Sequence, residues 1–319
     1  MNKTTFKYLV LFLILNSISS CKSDHIEPNN MYDDHVFVDY ITSTGYIKDL
    51  HVTNDNDVYY LTGHSISKIN QSRQISLIND LPEDQFGNSM GITQSENGNL
   101  YYVSNAKNTI YNYSLNSSTT TFHLVTPASR MTCIKKFDDN SFIVYDYADS
   151  VTGFYSGLKR YFPNLDLTVE IAGSENYEIV DGIGENASFG FVTNMLVVNE
   201  VIYVIDSRNN LRKIEKVGEE FSAITLISEY PNNFNGIAVE NNGDILLLID
   251  NVGIFKLNNS NNTLEEYLTG EIKFRDANAN SSTWTDWSYF RRFDIQNNDL
   301  YLTSGRGLIK ISNYTSKLD

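Results

Sequence analysis

The sequence predicts an all-β chain closed into a six-bladed β-propeller, and three observations carry that prediction. A strand signature recurs six times, where an Asn, Asp or Gly turn gives way to a hydrophobic run. The six anchors are Tyr59 in DVYYLTG, Tyr101 in NLYYVSN, Ile143 in SFIVYDY, Tyr203 in VIYVIDS, Leu246 in DILLLID and Tyr301 in DLYLTSG. Successive anchors lie 42, 42, 60, 43 and 55 residues apart, against about 40 to 50 for one four-stranded blade. Between polar turns the apolar residues alternate with a period of two, leaving little room for a helix longer than a turn or two.

The first element in chain order is an export signal. Lys3 and Lys7 precede an apolar run, Tyr8 to Leu15, and then Ile18-Ser19-Ser20-Cys21. A spanning helix needs about 20 apolar residues, and no later segment approaches that length. This start resembles that of bacterial lipoproteins. The resemblance implies that residues 1–20 are removed, that Cys21 is lipidated, and that acyl chains hold the chain to a membrane face. It places the protein in the cell envelope, at the outer membrane, in the periplasm or on the surface. An ordinary secretory signal with an incidental cysteine is the other reading. Residues 21–35, polar and containing Pro28, read as a tether. Lipidation would leave Cys133 as the one remaining thiol of two, so no intramolecular disulfide is expected and stability must come from burial. Cys133 itself opens an apolar strand and is expected to be buried rather than nucleophilic.

Residues 36–319 then form the propeller domain. Val36 to Ile41, VFVDYI, lies outside the first counted unit. An open ring would expose strand edges, so this segment is expected to complete the last blade. An alternating inner strand precedes each anchor: Leu50 to Val52, Gly91 to Thr93, Cys133 to Lys135, Asn194 to Val197, Gly236 to Val239 and Arg292 to Ile295. Third strands follow, as at Ser65 to Ile69, Thr109 to Tyr113, Leu211 to Ile214, Gly253 to Leu257 and Gly307 to Ile311. Leu158 to Tyr161 and Leu165 to Ile171 suit the third and fourth strands of blade three, although a degenerate seventh blade also fits that gap.

The stretch DGIGENASFGFVTNMLVVNEVIYVIDSRNNLRKI, Asp181 to Ile214, is the most patterned part of the chain. It resembles the NHL repeat, whose consensus Asp-Gly-x-Gly-x-x-Ala-x-Phe, Tyr-Val-x-Asp and Asn-x-x-Ile-Arg-Lys-Ile is met by Asp181, Gly182, Gly184, Ala187, Phe189, Tyr203, Val204, Asp206, Asn209, Asn210, Arg212, Lys213 and Ile214. The resemblance implies a propeller of this type and is specific over residues 181–214 only. Asp181-Gly182-Ile183-Gly184 lacks the following helix and third glycine of a phosphate loop, so the glycines are assigned to the inter-blade turn. Asp55-Asn56-Asp57, Asn241 to Asp244 and Asn297-Asn298-Asp299 offer calcium-like oxygens, but hairpins need the same residues for positive φ.

Ligands are expected where the innermost strands begin, because those residues converge on one mouth of the channel. By register they are Tyr46 and Lys48, Asn88 and Ser89, Arg130 and Thr132, Thr193 and Asn194, Asn233 and Asn235, and Tyr289, Arg291 and Arg292. Amides, hydroxyls and arginines suit a polyol, a carboxylate or a peptide; the competing reading pairs the arginines with Asp49, Asp286 and Asp294. The insertion Asp276 to Tyr289 adds Trp284 and Trp287 on a polar segment, flat faces for a sugar or peptide, unless Trp287 covers the core. The formal charge of −15, or −17 once Lys3 and Lys7 are removed, argues against nucleic acid.

Six-bladed propellers that this chain resembles include gluconolactonase-like hydrolases and a peptidyl-hydroxyglycine lyase, and the resemblance implies metal-dependent catalysis as one reading. The five histidines, His25, His35, His51, His64 and His123, show no ligand spacing, and Asp49 is the one acidic mouth position. No nucleophile–histidine–carboxylate set assembles in sequence. The expected protein is therefore a monomeric binding or scaffold module for a glycan, peptide or envelope protein, with no catalytic residue, cofactor or metal assigned. A metal-dependent lyase or lactonase is the alternative, and a structural subunit of an envelope complex is a third class.

Overall fold

Each anchor occupies the second strand of its own sheet in the computed structural model, and the six sheets follow one another around a ring. The structure describes residues 36–42, 46–81, 89–104, 108–125, 130–150, 153–269, 272–275, 282–285, 287, 290–304 and 307–317. Among these the only helices are short 3-10 turns. Leader, Cys21 and tether lie outside the described residues.

Blade one runs Asp49–Val52, Val58–Leu61, Ser65–Ile69, Ile75–Asp80, and blade two Ser89–Gln94, Leu100–Ser104, Thr109–Ser114, Thr119–Leu124. Blade three has long strands, with Ser141–Ser150 and Gly153–Phe162 paired along their whole length and Leu167–Ser174 outside them. This accounts for the 60-residue spacing without a seventh blade. Blade four adds a two-residue strand, Gly182–Ile183, to its outer edge.

One hydrophobic cluster fills each gap between neighbouring blades. Leu50, Val52, Tyr60 and Ile69 of blade one pack with Tyr301 and Leu308 of blade six, so the first and last blades share a core and the ring closes. The alternation causes this: successive residues of a strand point to opposite faces, and both faces of an inner blade strand meet a neighbour. That is why VYYL and ILLLI are buried at every position.

The N-terminal strand Val36–Thr42 pairs antiparallel with Gly307–Ile311 and supplies the fourth strand of blade six, as expected. Its other edge pairs in parallel with Ile272–Arg275, which in turn pairs with Ser282–Thr285. The insertion before blade six is thus in part a strand pair extending that blade to six strands, where the sequence suggested a polar loop. Asn56, Asn297, Asn298 and Gly243 take positive φ, so the turn reading of the Asn- and Asp-rich hairpins holds.

Candidate functional site

Inner-strand register builds the channel from two stacked rings of six residues. The upper ring is Asp49, Gly91, Cys133, Asn194, Gly236 and Arg292; the lower is His51, Thr93, Lys135, Leu196, Ala238 and Asp294. Side chains of these rings lean toward the next blade. Asp49 accepts the Ile92 N–H of blade two at 3.1 Å, and Asp294 accepts the Val52 N–H of blade one at 3.1 Å. At Gly91 a Cβ would come within 3.0 Å of Ile134 N, and at Gly236 within 2.8 Å of the Phe293 ring. These two positions are glycine because the next blade sits there.

Immediately before the upper ring the register slips by one residue in five of the six inner hairpins, at Met90, Thr132, Thr193, Asn235 and Arg291. A β-bulge re-aims its side chain and frees backbone groups from the ladder. Sequence reasoning had placed polar residues at this mouth but had no signal for the bulges. Their released groups explain Arg292: its guanidinium donates to the carbonyls of Asn235 (3.0 Å), Arg291 (3.0 Å) and Thr193 (2.8 Å), and stands 4.0 Å from Asp49. Arg292 therefore straps blades four, five and six together at the head of the channel. Asn235 is similarly engaged, donating to Asp250 and to the Phe290 carbonyl at 2.9 Å each.

The remaining predicted residues divide. Lys48 lies over the exposed Tyr46 ring, 5.1 Å from its centroid. Arg130 and Asn233 are exposed. Arg291 is exposed and 3.6 Å from Asp250. Trp287 corrects the aromatic-platform expectation: it is 3 % exposed and packs edge-on against Phe290 in the core between blades five and six. Asn88, Tyr289 and the Trp284 side chain lie outside what is described, although Trp284 itself falls in the strand Ser282–Thr285.

The patterned segment of blade four turns out to be a buried clasp. Arg212, wholly buried, donates to the carbonyls of Ser188 (2.6 Å) and Val180 (2.8 Å) and reaches Asp206 and Asp181 at 3.2 Å each. Its guanidinium stacks 4.5 Å from the Phe189 ring. Asp181 in turn accepts the Thr225 N–H and hydroxyl of the outer strand. Burial holds the Asp206 carboxyl above its ordinary pKa even beside Arg212. Burial also works upward on Asp181, but Thr225 and Arg212 together bring it below the ordinary value. Blade three repeats the pair at the same register, with Lys159 bonded to the buried Asp146.

The channel encloses a cavity of about 440 Å³ lined by all six inner strands. His51 and Asp294 line this cavity and are half-buried. Burial first, then Lys135, lowers His51 to about 4 against the pull of Asp49. Burial raises Asp294 to about 6 against Lys135 and two backbone N–H bonds. Cys133, buried beside them, is pushed up to about 11, which suits an inert thiol. Among the described residues no three His, Cys, Asp or Glu side chains gather as a metal cluster.

The two shifts bear on stability with opposite signs. The depressed His51 contributes stability that is present above its unfolded value near 6.5 and is lost as pH falls toward 4. The raised Asp294 contributes stability that is present below 3.8 and is lost as pH rises through 6. Each is worth on the order of 2–3 kcal/mol at full extent. Relative to the parent chain, His51→Gln should lose stability as pH rises from 4 to 6.5, and Asp294→Asn should gain it from 4 to 6. Urea melts across that range check both, and parallel profiles for the variants would refute the assignment.

Fold and channel together define a six-bladed β-propeller. No family model matches the chain, and no curated protein matches it either. Among solved structures it is similar to virginiamycin B lyase from Staphylococcus aureus, at 14 % identity and TM-score 0.56 over 85 % of this chain and 96 % of that one. It is similar to a gluconolactonase from Xanthomonas campestris, at 11 % identity and TM-score 0.59 over 85 % and 86 %. The WD40 propeller domain of Doa1 gives 12 % identity and TM-score 0.53 over 88 % and 99 %. At these identities the likeness shows the fold alone.

Proposed function

We propose that this protein is an NHL-like, lipid-anchored propeller of the cell envelope that binds a carboxylate-bearing glycan or peptide at the mouth where its inner strands begin. One observation carries the reading: Lys48, Arg130 and Arg291 bring cationic ends to that mouth on a chain of net charge −15. Arg130 has no ion pair among the described residues, and Arg291 has only the long contact to Asp250. An arginine fork matches a carboxylate with two parallel bonds, while Tyr46 and Asn233 supply hydroxyl and amide groups beside it. Arg292 contributes charge but is held by its carbonyls.

The test is a glycan and peptide array probed with the exported chain and with an Arg130→Ala, Arg291→Ala double variant. Acidic ligands should bind the parent at least tenfold more tightly than the variant, with the melting temperatures within about 2 °C. Equal binding of neutral and acidic ligands, or an indifferent variant, would reject the reading. Anchoring rests on the Ile18-Ser19-Ser20-Cys21 signal, and Cys21→Ser should move the chain from the membrane to the soluble fraction.

A partner protein on the blade edges is a second reading. The outer strands of blades one and two expose Leu77, Phe122 and Leu124, at 64 %, 66 % and 58 %. Apolar residues grouped in this way mark docking surfaces, which is what an envelope subunit requires.

A further inference from the structure

The channel contains polar groups that neither the fold nor the mouth accounts for. Its cavity extends past the lower ring to Thr53, Asn54, Ser95, Glu96 and Gln296, residues at and beyond the ends of inner strands. Asn54 and Glu96 are exposed there. The cavity is thus entered from the face opposite Arg130 and Arg291, and the strapped Arg292 stands between the two ends.

Around the lower ring the chemistry is divided into two arcs. Blades six, one, two and three present Asp294, His51, Thr93 and Lys135, while blade four presents the half-buried Leu196 and blade five presents Ala238, which is 2 % exposed and packs in the core between blades five and six. The acceptors of the polar arc are already engaged: Asp294 takes N–H groups from Val52 at 3.1 Å and Ile295 at 2.9 Å, and Asp49 takes that of Ile92 at 3.1 Å. The donors are not. Lys135 Nζ stands 3.5 Å from Asp49, at the outer limit of a hydrogen bond. Neither the enclosed His51 ring nor the Thr93 hydroxyl, 3 % exposed, has a hydrogen-bond partner among the described residues. A neutral imidazole always carries one N–H, and both residues line the cavity.

We infer that the channel is a second binding site, taking a small aliphatic monocarboxylate whose carboxylate meets Lys135, His51 and Thr93 and whose hydrocarbon part lies against Leu196. A metal cation is disfavoured because Lys135 and Arg292 already face the space. A dianion such as phosphate is disfavoured by Asp49 and Asp294, and it would leave the apolar arc uncovered. The volume, about 440 Å³, falls within the roughly 300–1,000 Å³ of small-molecule pockets.

The test is calorimetric titration of the purified full-length protein with butyrate, with its neutral isostere butyramide, and with inorganic phosphate. Butyrate should bind one to one, and butyramide and phosphate at least tenfold more weakly. Lys135→Met should lower butyrate affinity at least tenfold, and Leu196→Asn, which makes the apolar arc polar and leaves every charge in place, should do the same. The Arg130→Ala, Arg291→Ala variant should bind butyrate as the parent does, which separates this site from the mouth. Equal affinity for butyrate and butyramide, no binding of butyrate, or parental binding by Leu196→Asn would each overturn the inference. If Lys135→Met does not fold, the ligand comparison and Leu196→Asn decide alone.

Discussion

Replacing Arg212 with alanine is expected to cost about 3–5 kcal/mol, the usual loss when one partner of a buried ion pair is removed. The side chain is wholly buried, and its loss strands the Asp206 carboxylate, also wholly buried, together with the carbonyls of Ser188 and Val180. Three polar contacts between the inter-blade loop and the body of blade four, to Val180, Asp181 and Ser188, disappear at once. At roughly 2–4 °C per kcal/mol for a chain of this size, the melting temperature should fall by about 6–20 °C. A double variant, Arg212→Met with Asp206→Leu, should recover part of the loss because it removes both charges rather than one. Calorimetric melts of the three proteins provide the check; a loss under about 1 kcal/mol for Arg212→Ala would show that the clasp does not hold the loop.

The second large effect is expected at the ring's seam. Val36–Thr42 registers four residues with Gly307–Ile311 and four with Ile272–Arg275, so it bridges two strands that otherwise share no ladder. Deleting residues 22–42 should remove on the order of 4–8 kcal/mol, counting about 1 kcal/mol for each ladder hydrogen bond. It should also leave Gly307–Ile311 with a bare edge and promote aggregation. Thermal melts and light scattering read both effects. An unchanged melting temperature would reject closure by strand exchange.

The architecture was legible because burial on both faces of a blade strand forces apolar alternation, and the six anchors preserve it. Closure was legible for a similar reason: VFVDYI was strand-like but belonged to no counted unit. The patterned segment of blade four could be seen, but its work could not, since nothing in a sequence distinguishes an arginine that will be buried from one that will be solvated. Its partial repeat in blade three was within reach. Asp146 follows the anchor Ile143 by three residues, as Asp206 follows Tyr203, and Lys159 then occupies the register of Arg212.

The mouth was less legible. A bulge is a slip in pairing and leaves no compositional trace, so Thr193, Asn235 and Arg291 looked like free ligand groups when all three were also offering carbonyls to Arg292. Trp287 and Phe290 lay in a segment whose polar neighbours, Asp276 to Ser282, masked its strands and its buried ring. The channel arc of His51, Thr93, Lys135 and Asp294 comes from four blades, and only the inner-strand register brings those residues to one level.

The measurement that tests the central claim most directly is elemental analysis of the purified propeller domain, residues 36–319, after dialysis without chelator, paired with thermal melts with and without EDTA. A propeller that binds through a cationic mouth predicts no stoichiometric metal and superimposable melts. One metal per chain, with a melting temperature that falls on chelation, would contradict that account and direct attention to Asp49, His51 and Asn194 as ligands of a catalytic centre.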